Sequence, residues 1–314
     1  MVQIKNKYSW SRVSYNLLES INEVPVDLYI KLSSIKYIKI YNESEDTLEA
    51  LTSNYLAKEI TNFYCQVQDY TKLVEYLLLN RVDVGAIRRA ELIKELIDIL
   101  GISPLVAKNI QAISLECLEE IRKDKALSTY IDSIFKTGNY LSQHSVLVSF
   151  ISCLIAKEMD WKAQDVTTKL SYAGILHDLS LTDNILLELS RNENDINFLN
   201  WDEQEIYKSH IETMVTHLQT STSIPFEISD IISNHHEFSM EQLSTNRKSP
   251  TSISQINALF IIADQFCHLI HPDDELNMSN ALNRWVEFEE HFNKGNFKKP
   301  LQCIKKLLHT NILK

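Results

Sequence analysis

The architecture follows from eleven residues, LSYAGILHDLS at positions 170–180. An apolar helical stretch ends in an adjacent His177–Asp178 pair, with Gly174 inside it. Neighbouring residues on a helix point about 100° apart, so both side chains can serve one site only at the end of the helix. Gly174 permits a second helix to come close. An imidazole beside a carboxylate is a donor set suited to Fe, Mn or Zn.

Other histidines and carboxylates lie in similar surroundings. His144, within YLSQHSVLVSFISCLIAKEM, shares a helix face with Val148, Ile151 and Ile155. Alone, it reads as a core histidine with one satisfied hydrogen bond sooner than as a ligand. His210 lies in EIYKSHIETMVTHL, with His217 on the same face. His235 and His236 follow FEISDIISN, and His235 continues the apolar face of Ile228, Ile231 and Ile232. A histidine pair at a helix C-terminus can also simply complement the helix dipole. Asp264 stands inside INALFIIADQFCHLI, where a carboxylate is costly unless paired or metal-bound. The polar neighbour Gln265 leaves an exposed helix face as the other reading.

The set says more than its members. The order is H…HD…H…HH…D, with gaps of 33 (144 to 177), 32 (178 to 210), 25 (210 to 235) and 28 (236 to 264) residues. Each gap fits one helical hairpin, which returns successive helices to a common centre. Chance core histidines would show no such order.

Composition agrees with a mainly helical chain. Of 314 residues, 44% are hydrophobic, and only 5 are Gly and 6 Pro, which favours long helices with few tight turns. Acidic residues outnumber basic ones by 42 to 31, giving a net charge of −11 that disfavours binding to a nucleic-acid duplex. An anionic small substrate would need a local positive charge, which bound cations supply. Cys65, Cys117, Cys153, Cys267 and Cys303 are odd in number and show no CxxC spacing, so they read as reduced thiols of a cytoplasmic protein. The start, MVQIKNKYSWSRVSYN, has no apolar signal-peptide core, and no apolar run reaches the roughly 18 residues of a membrane span.

Residues 1–84 are expected to form a small α+β domain with a regulatory or protein-partner role. PVDLYIKL and IKYIKIY flank a short turn and read as a hairpin. A helix near 46–58, a strand in NFYCQVQ and a helix after Asp69 follow. Residues 85–124 read as a helical connector, with a stop at Gly101 and a new helix opening at Ser103–Pro104. Residues 125–314 read as a helical bundle, with helices near 126–137, 140–158, 163–177, 183–191, 202–219, 226–236, 253–271, 279–292 and 299–312. The polar stretch 238–252 reads as a loop.

The ordered ligands resemble the HD-GYP family, a branch of the HD-domain metal-dependent phosphohydrolases. The likeness spans about 125–270, and the N-terminal strands also resemble a small domain that often precedes HD-GYP domains. It implies a binuclear centre of iron, or of manganese, held by His144, His177, Asp178, His210, His235, His236 and Asp264, with Asp178 and Asp264 in the chemistry. The match selects His210 over His217. It implies a phosphodiesterase that cleaves cyclic di-GMP to pGpG or GMP, or a metal-bearing cyclic di-GMP receptor or adaptor if turnover has been lost. The chain departs from the family pattern at two places. The lysine of HDxGK is Leu181 here, and 238–252 lacks the GYP tripeptide although His235-His236-Glu237 keeps HHE. Where some members carry a glutamate that supports a third metal, this chain has Tyr140, so two metals are expected. Lys208, Arg247 and Lys248 are the cations considered for phosphate contact.

Overall fold

A computed structural model describes residues 10–311 apart from 20, 34–35, 44–45, 56–57, 59, 81, 126, 162, 193–194, 222–223, 239, 241–247 and 272–275. The chain divides into two units, Met1–Ile87 and Arg88–Lys314.

The first unit contains β1 (Trp10–Ser14), α1 (Tyr15–Leu18), β2 (Leu28–Ser33), β3 (Lys36–Tyr41), α2 (Leu48–Tyr55), β4 (Asn62–Gln66) and α3 (Val67–Leu79). Its sheet has the order β1-β4-β2-β3. β1 pairs antiparallel with β4 in the register Trp10↔Gln66 to Ser14↔Asn62, and β2 pairs antiparallel with both β3 and β4. The expected hairpin is present, although its turn residues 34–35 lie outside the described residues. β4 alternates as a strand with one buried face should, Phe63 and Cys65 pointing inward. β1 was not anticipated from the sequence. Its Val13 joins Leu17, Leu28, Phe63, Leu73 and Leu77 in one core.

Helix α4 (Val84–Leu100) ends at Gly101, whose φ of 59° is the left-handed conformation of a helix stop. The Ile102 N–H then donates back to the Ile97 carbonyl at 3.0 Å, closing a Schellman-type end. Pro104 opens α5 (Pro104–Lys123). α5 buries Ala107, Ile110, Cys117, Leu118 and Ile121 in the same core as the helices that follow.

Those helices are α6 (Ser128–Thr137), α7 (Tyr140–Glu158), α8 (Gln164–Leu176), α9 (Asp183–Arg191), α10 (Trp201–Thr220), α11 (Ile228–Asn234), α12 (Gln255–Ile270), α13 (Met278–Asn283), α14 (Trp285–Phe292) and α15 (Lys298–Asn311). The single helix expected over 279–292 is two short ones, meeting at Arg284. α7 is buried on every side from Tyr140 to Leu147 apart from Val146, and again from Leu147 to Ala156, so it is the central helix of the bundle. α12 is almost as enclosed. Ser149 gives α7 a small side chain against Gly174 and Ser171 of α8. The hydroxyls of Ser149, Ser171 and Ser114 link α7, α8 and α5, with separations of 2.8, 3.1 and 2.9 Å. α10 opens with a capping box, Asn200 and Glu203 each accepting the other's backbone N–H at 3.0 Å. None of the described helices is long and apolar enough to cross a membrane.

Candidate metal centre

The ordered histidines and aspartates converge. His144 comes from the second turn of α7 and Asp264 from the middle of α12, while His210 comes from the middle of α10. His177 and His235 are the residues that cap α8 and α11, and Asp178 and His236 follow them directly. The adjacent pairs thus lie where a helix ends, the one place where both members can face a common point. His144, His177, Asp178, His210, His235 and Asp264 are all buried, and His236 is half-buried.

Asp178 lies between two groups of imidazoles. Its Oδ1 is 3.4 Å from His210 Nε2 and 3.6 Å from His235 Nε2. Its Oδ2 is 3.2 Å from His177 Nε2 and 4.0 Å from His144 Nε2. Asp264 Oδ1 is 3.1 Å from His144 Nε2 and 3.5 Å from His177 Nε2. Three overlapping sets have one donor atom per residue within 4.8 Å of one another: Asp178 with His210, His235 and His236; His144 with His177 and Asp178; and His144 with Asp264 and His268.

Three imidazoles are aimed by their own helices. His177, His210 and His235 each turn Nδ1 to the carbonyl three residues back, on Gly174, Tyr207 and Ile232. A carbonyl only accepts, so each Nδ1 carries the hydrogen and each Nε2 of a neutral ring presents a lone pair to the centre. His210 and His235 then face each other Nε2 to Nε2 at 3.3 Å, beside a carboxylate oxygen. Three acceptors pointed at one spot repel unless a cation lies among them.

A proton does not serve as that cation at His210, where burial outweighs Asp178 and pushes the imidazole down to about 3. Burial and His236 lower His235 as well. His144 falls to about 4 through burial and the neighbouring His268. His177 is different: burial opposes its charge, but Asp178 and Asp264 overcome this and raise it to about 10. Both carboxyls are held well below their usual range, burial notwithstanding, Asp178 chiefly by His177 and Asp264 chiefly by His268. Ionised carboxylates beside the lowered imidazoles of His144, His210 and His235, with no hydrogen-bond partner at His177 Nε2 or Asp178 Oδ1, fit a divalent metal that displaces the His177 proton.

The other residues singled out in the sequence have the following surroundings. His217 packs against Tyr130, with 5.6 Å between ring centroids. Tyr140 donates its hydroxyl proton to the His271 carbonyl. Leu181 is buried at 4% exposure, so an aliphatic side chain fills the position of the family lysine. Lys208 pairs with Glu205 at 2.9 Å on the exposed face of α10. Lys248 reaches the Asn234 side chain, next to His235, and lies 3.8 Å from Glu237. Arg247 lies outside the described residues. His268 was missed, and its signal was available: it stands four residues after Asp264 on the same helix face.

Residues 141–268 match the family model described as HD domain. No match was found among curated proteins. One solved structure, Bd1817, described as an HDG"Y"P protein from Bdellovibrio bacteriovorus, is similar at a TM-score of 0.44 and 15% identity, over 96% of this chain and 99% of that one. The segment 141–268, similar to the HD domain by its family model, contains the histidines and aspartates whose donor atoms form the three overlapping sets.

Proposed function

We propose that this HD domain is a metal-dependent phosphodiesterase that holds two cations, iron or manganese, and hydrolyses cyclic di-GMP or a closely related phosphodiester. The observation that supports this best is the position of Asp178. Its two carboxylate oxygens face different pairs of imidazoles, His210 with His235 and His177 with His144. A carboxylate placed in this way would serve both cation positions. The pair, when bound, supplies Lewis acidity that lowers the pKa of a water and offsets charge on phosphoryl oxygens.

The chain's own residues supply the rest. His210, His235 and His236 with Asp178 Oδ1 would hold one cation, and His144 and His177 with Asp178 Oδ2 the other, Asp264 Oδ1 lying beside both His144 and His177. Asp264 accepts from the imidazoles around it and is placed to accept a hydrogen bond from a nucleophilic water. The backbone carbonyls behind His177, His210 and His235 hold the rings in place without help from solvent. For phosphate contact Lys248 is preferred to Lys208, because it reaches the residue that precedes His235.

The buried Leu181 supports a second reading, a metal-bearing receptor or adaptor for cyclic di-GMP that acts on a protein partner through residues 1–84. Metal analysis of the purified chain, followed by chromatography of cyclic di-GMP incubated with it, separates the two. Two metals with pGpG or GMP as product supports the enzyme. Two metals with tight nucleotide binding and no product supports the receptor. Less than one metal per chain removes both.

A further inference from the structure

We infer that His268 is an additional ligand of the centre, completing one cation position with His144 and Asp264. This rests on the metal-centre reading above and adds to it both a donor and the device that aims it.

His268 lies one helical turn beyond Asp264 on α12. Its Nε2 is 3.7 Å from Asp264 Oδ1, and its ring centroid is 4.4 Å from that of His144. The direction of the hydrogen bonds behind it makes it a donor. The carbonyl of His271 can only accept, so the Tyr140 hydroxyl donates to it at 2.5 Å. A hydroxyl has one proton, so Ser190 is the donor where it meets Tyr140 at 2.5 Å. The Ser190 oxygen then receives a hydrogen bond from His268 Nδ1 at 3.1 Å. This chain of contacts fixes the hydrogen of the neutral ring on Nδ1 and leaves the Nε2 lone pair on the side of Asp264 and His144. A lone pair and a carboxylate oxygen facing each other call for a cation between them.

The arrangement repeats on a hydroxyl what His177, His210 and His235 do on backbone carbonyls. A histidine present only to pack would need no such orientation. Tyr140 also gains a role, since its hydroxyl sets the polarity of the Ser190 contact.

The test uses the full chain loaded with Co(II), reading cations per chain by mass spectrometry and the visible absorption of the bound cobalt. Wild type is expected to hold two cations. His268→Gln is expected to hold one, with a changed absorption spectrum, while His217→Gln matches wild type. Ser190→Ala is expected to keep both positions but weaken one about tenfold, the usual effect of losing a partner behind a ligand. His268→Gln with wild-type stoichiometry, affinity and spectrum would overturn the inference while leaving the centre intact. Less than one cation in wild type would overturn the underlying reading itself. Should His268→Gln fail to fold by circular dichroism, Ser190→Ala decides, and unchanged affinities at both positions count against His268.

Discussion

Gly174 on α8 rests so closely on Ser149 of α7 that a Cβ on the glycine would stand 2.5 Å from both the Cα and the N of Ser149. Neither backbone atom can yield unless one helix moves. Gly174→Ala is therefore expected to destabilise the protein by about 2 kcal/mol, within the range for overpacked cores. His177 is three residues further along, and its Nδ1 bonds the Gly174 carbonyl, so metal affinity should fall too. Urea unfolding and metal titration of the variant check both effects; a midpoint equal to wild type would show that the helices can part freely.

Asp178 belongs to two of the donor sets, so its removal should empty both positions. Asp178→Ala is expected to hold less than one cation per chain, with helix content preserved. Elemental analysis alongside circular dichroism gives the answer, and retained stoichiometry would rule out the bridging role.

Metal uptake should release a proton. Before a cation binds, the two carboxylates raise His177 to about 10, so near neutral pH its ring is protonated. Its Nδ1 hydrogen is engaged with Gly174, so the proton that must leave for coordination is the one on Nε2. His144 and His210, lowered to about 4 and about 3, have none to give at that pH. Affinity should therefore rise about tenfold per pH unit from neutrality toward pH 10 and then level off, since the raised pKa favours the competing proton only below it. Calorimetry in two buffers of different ionisation enthalpy counts the protons, and equal heats in both would contradict this.

Restoring the family lysine should not restore the family's chemistry. Leu181 is buried, and its N–H donates to the Asp178 carbonyl at 2.8 Å within the turn that carries the ligand. Leu181→Lys would place an ammonium in an apolar setting and is expected to cost about 3 kcal/mol, typical of an unpaired buried charge. A variant as stable as wild type and faster on cyclic di-GMP would show that the position opens to substrate.

Much of this was legible in advance because the signals were local. The placement of HD at the end of a helix follows from the angle between adjacent side chains, and α8 stops with His177 as its cap. Gly101 and Pro104 punctuate α4 and α5 as their chemistry requires. The mainly α fold, with a small α+β part before it, followed from the same periodicities. What escaped was non-local or masked by its neighbours. β1 is a five-residue strand whose partner β4 begins at Asn62, and nothing in WSRVS alone signals that pairing. The break at Arg284 between α13 and α14 leaves no Gly or Pro to mark it. His268 reads as an ordinary polar residue on an apolar helix until its offset from Asp264 is weighed. Lys208, considered for phosphate, is engaged by Glu205 because the two lie three residues apart on one helix face.

The donors belong to α7, α12 and α10 and to the ends of α8 and α11, and they are spread along the chain from His144 to Asp264. The set of Asp178, His210, His235 and His236 is complete before α12 begins, whereas the set that contains Asp264 needs α12. A nascent chain still lacking α12 would own the first of these sets and not the second, and the two bound ions together would fasten five separate segments. Occupancy would then report on maturation: resistance to proteases should appear when the last carboxylate arrives, and chelation should loosen the bundle as a whole instead of fraying one edge.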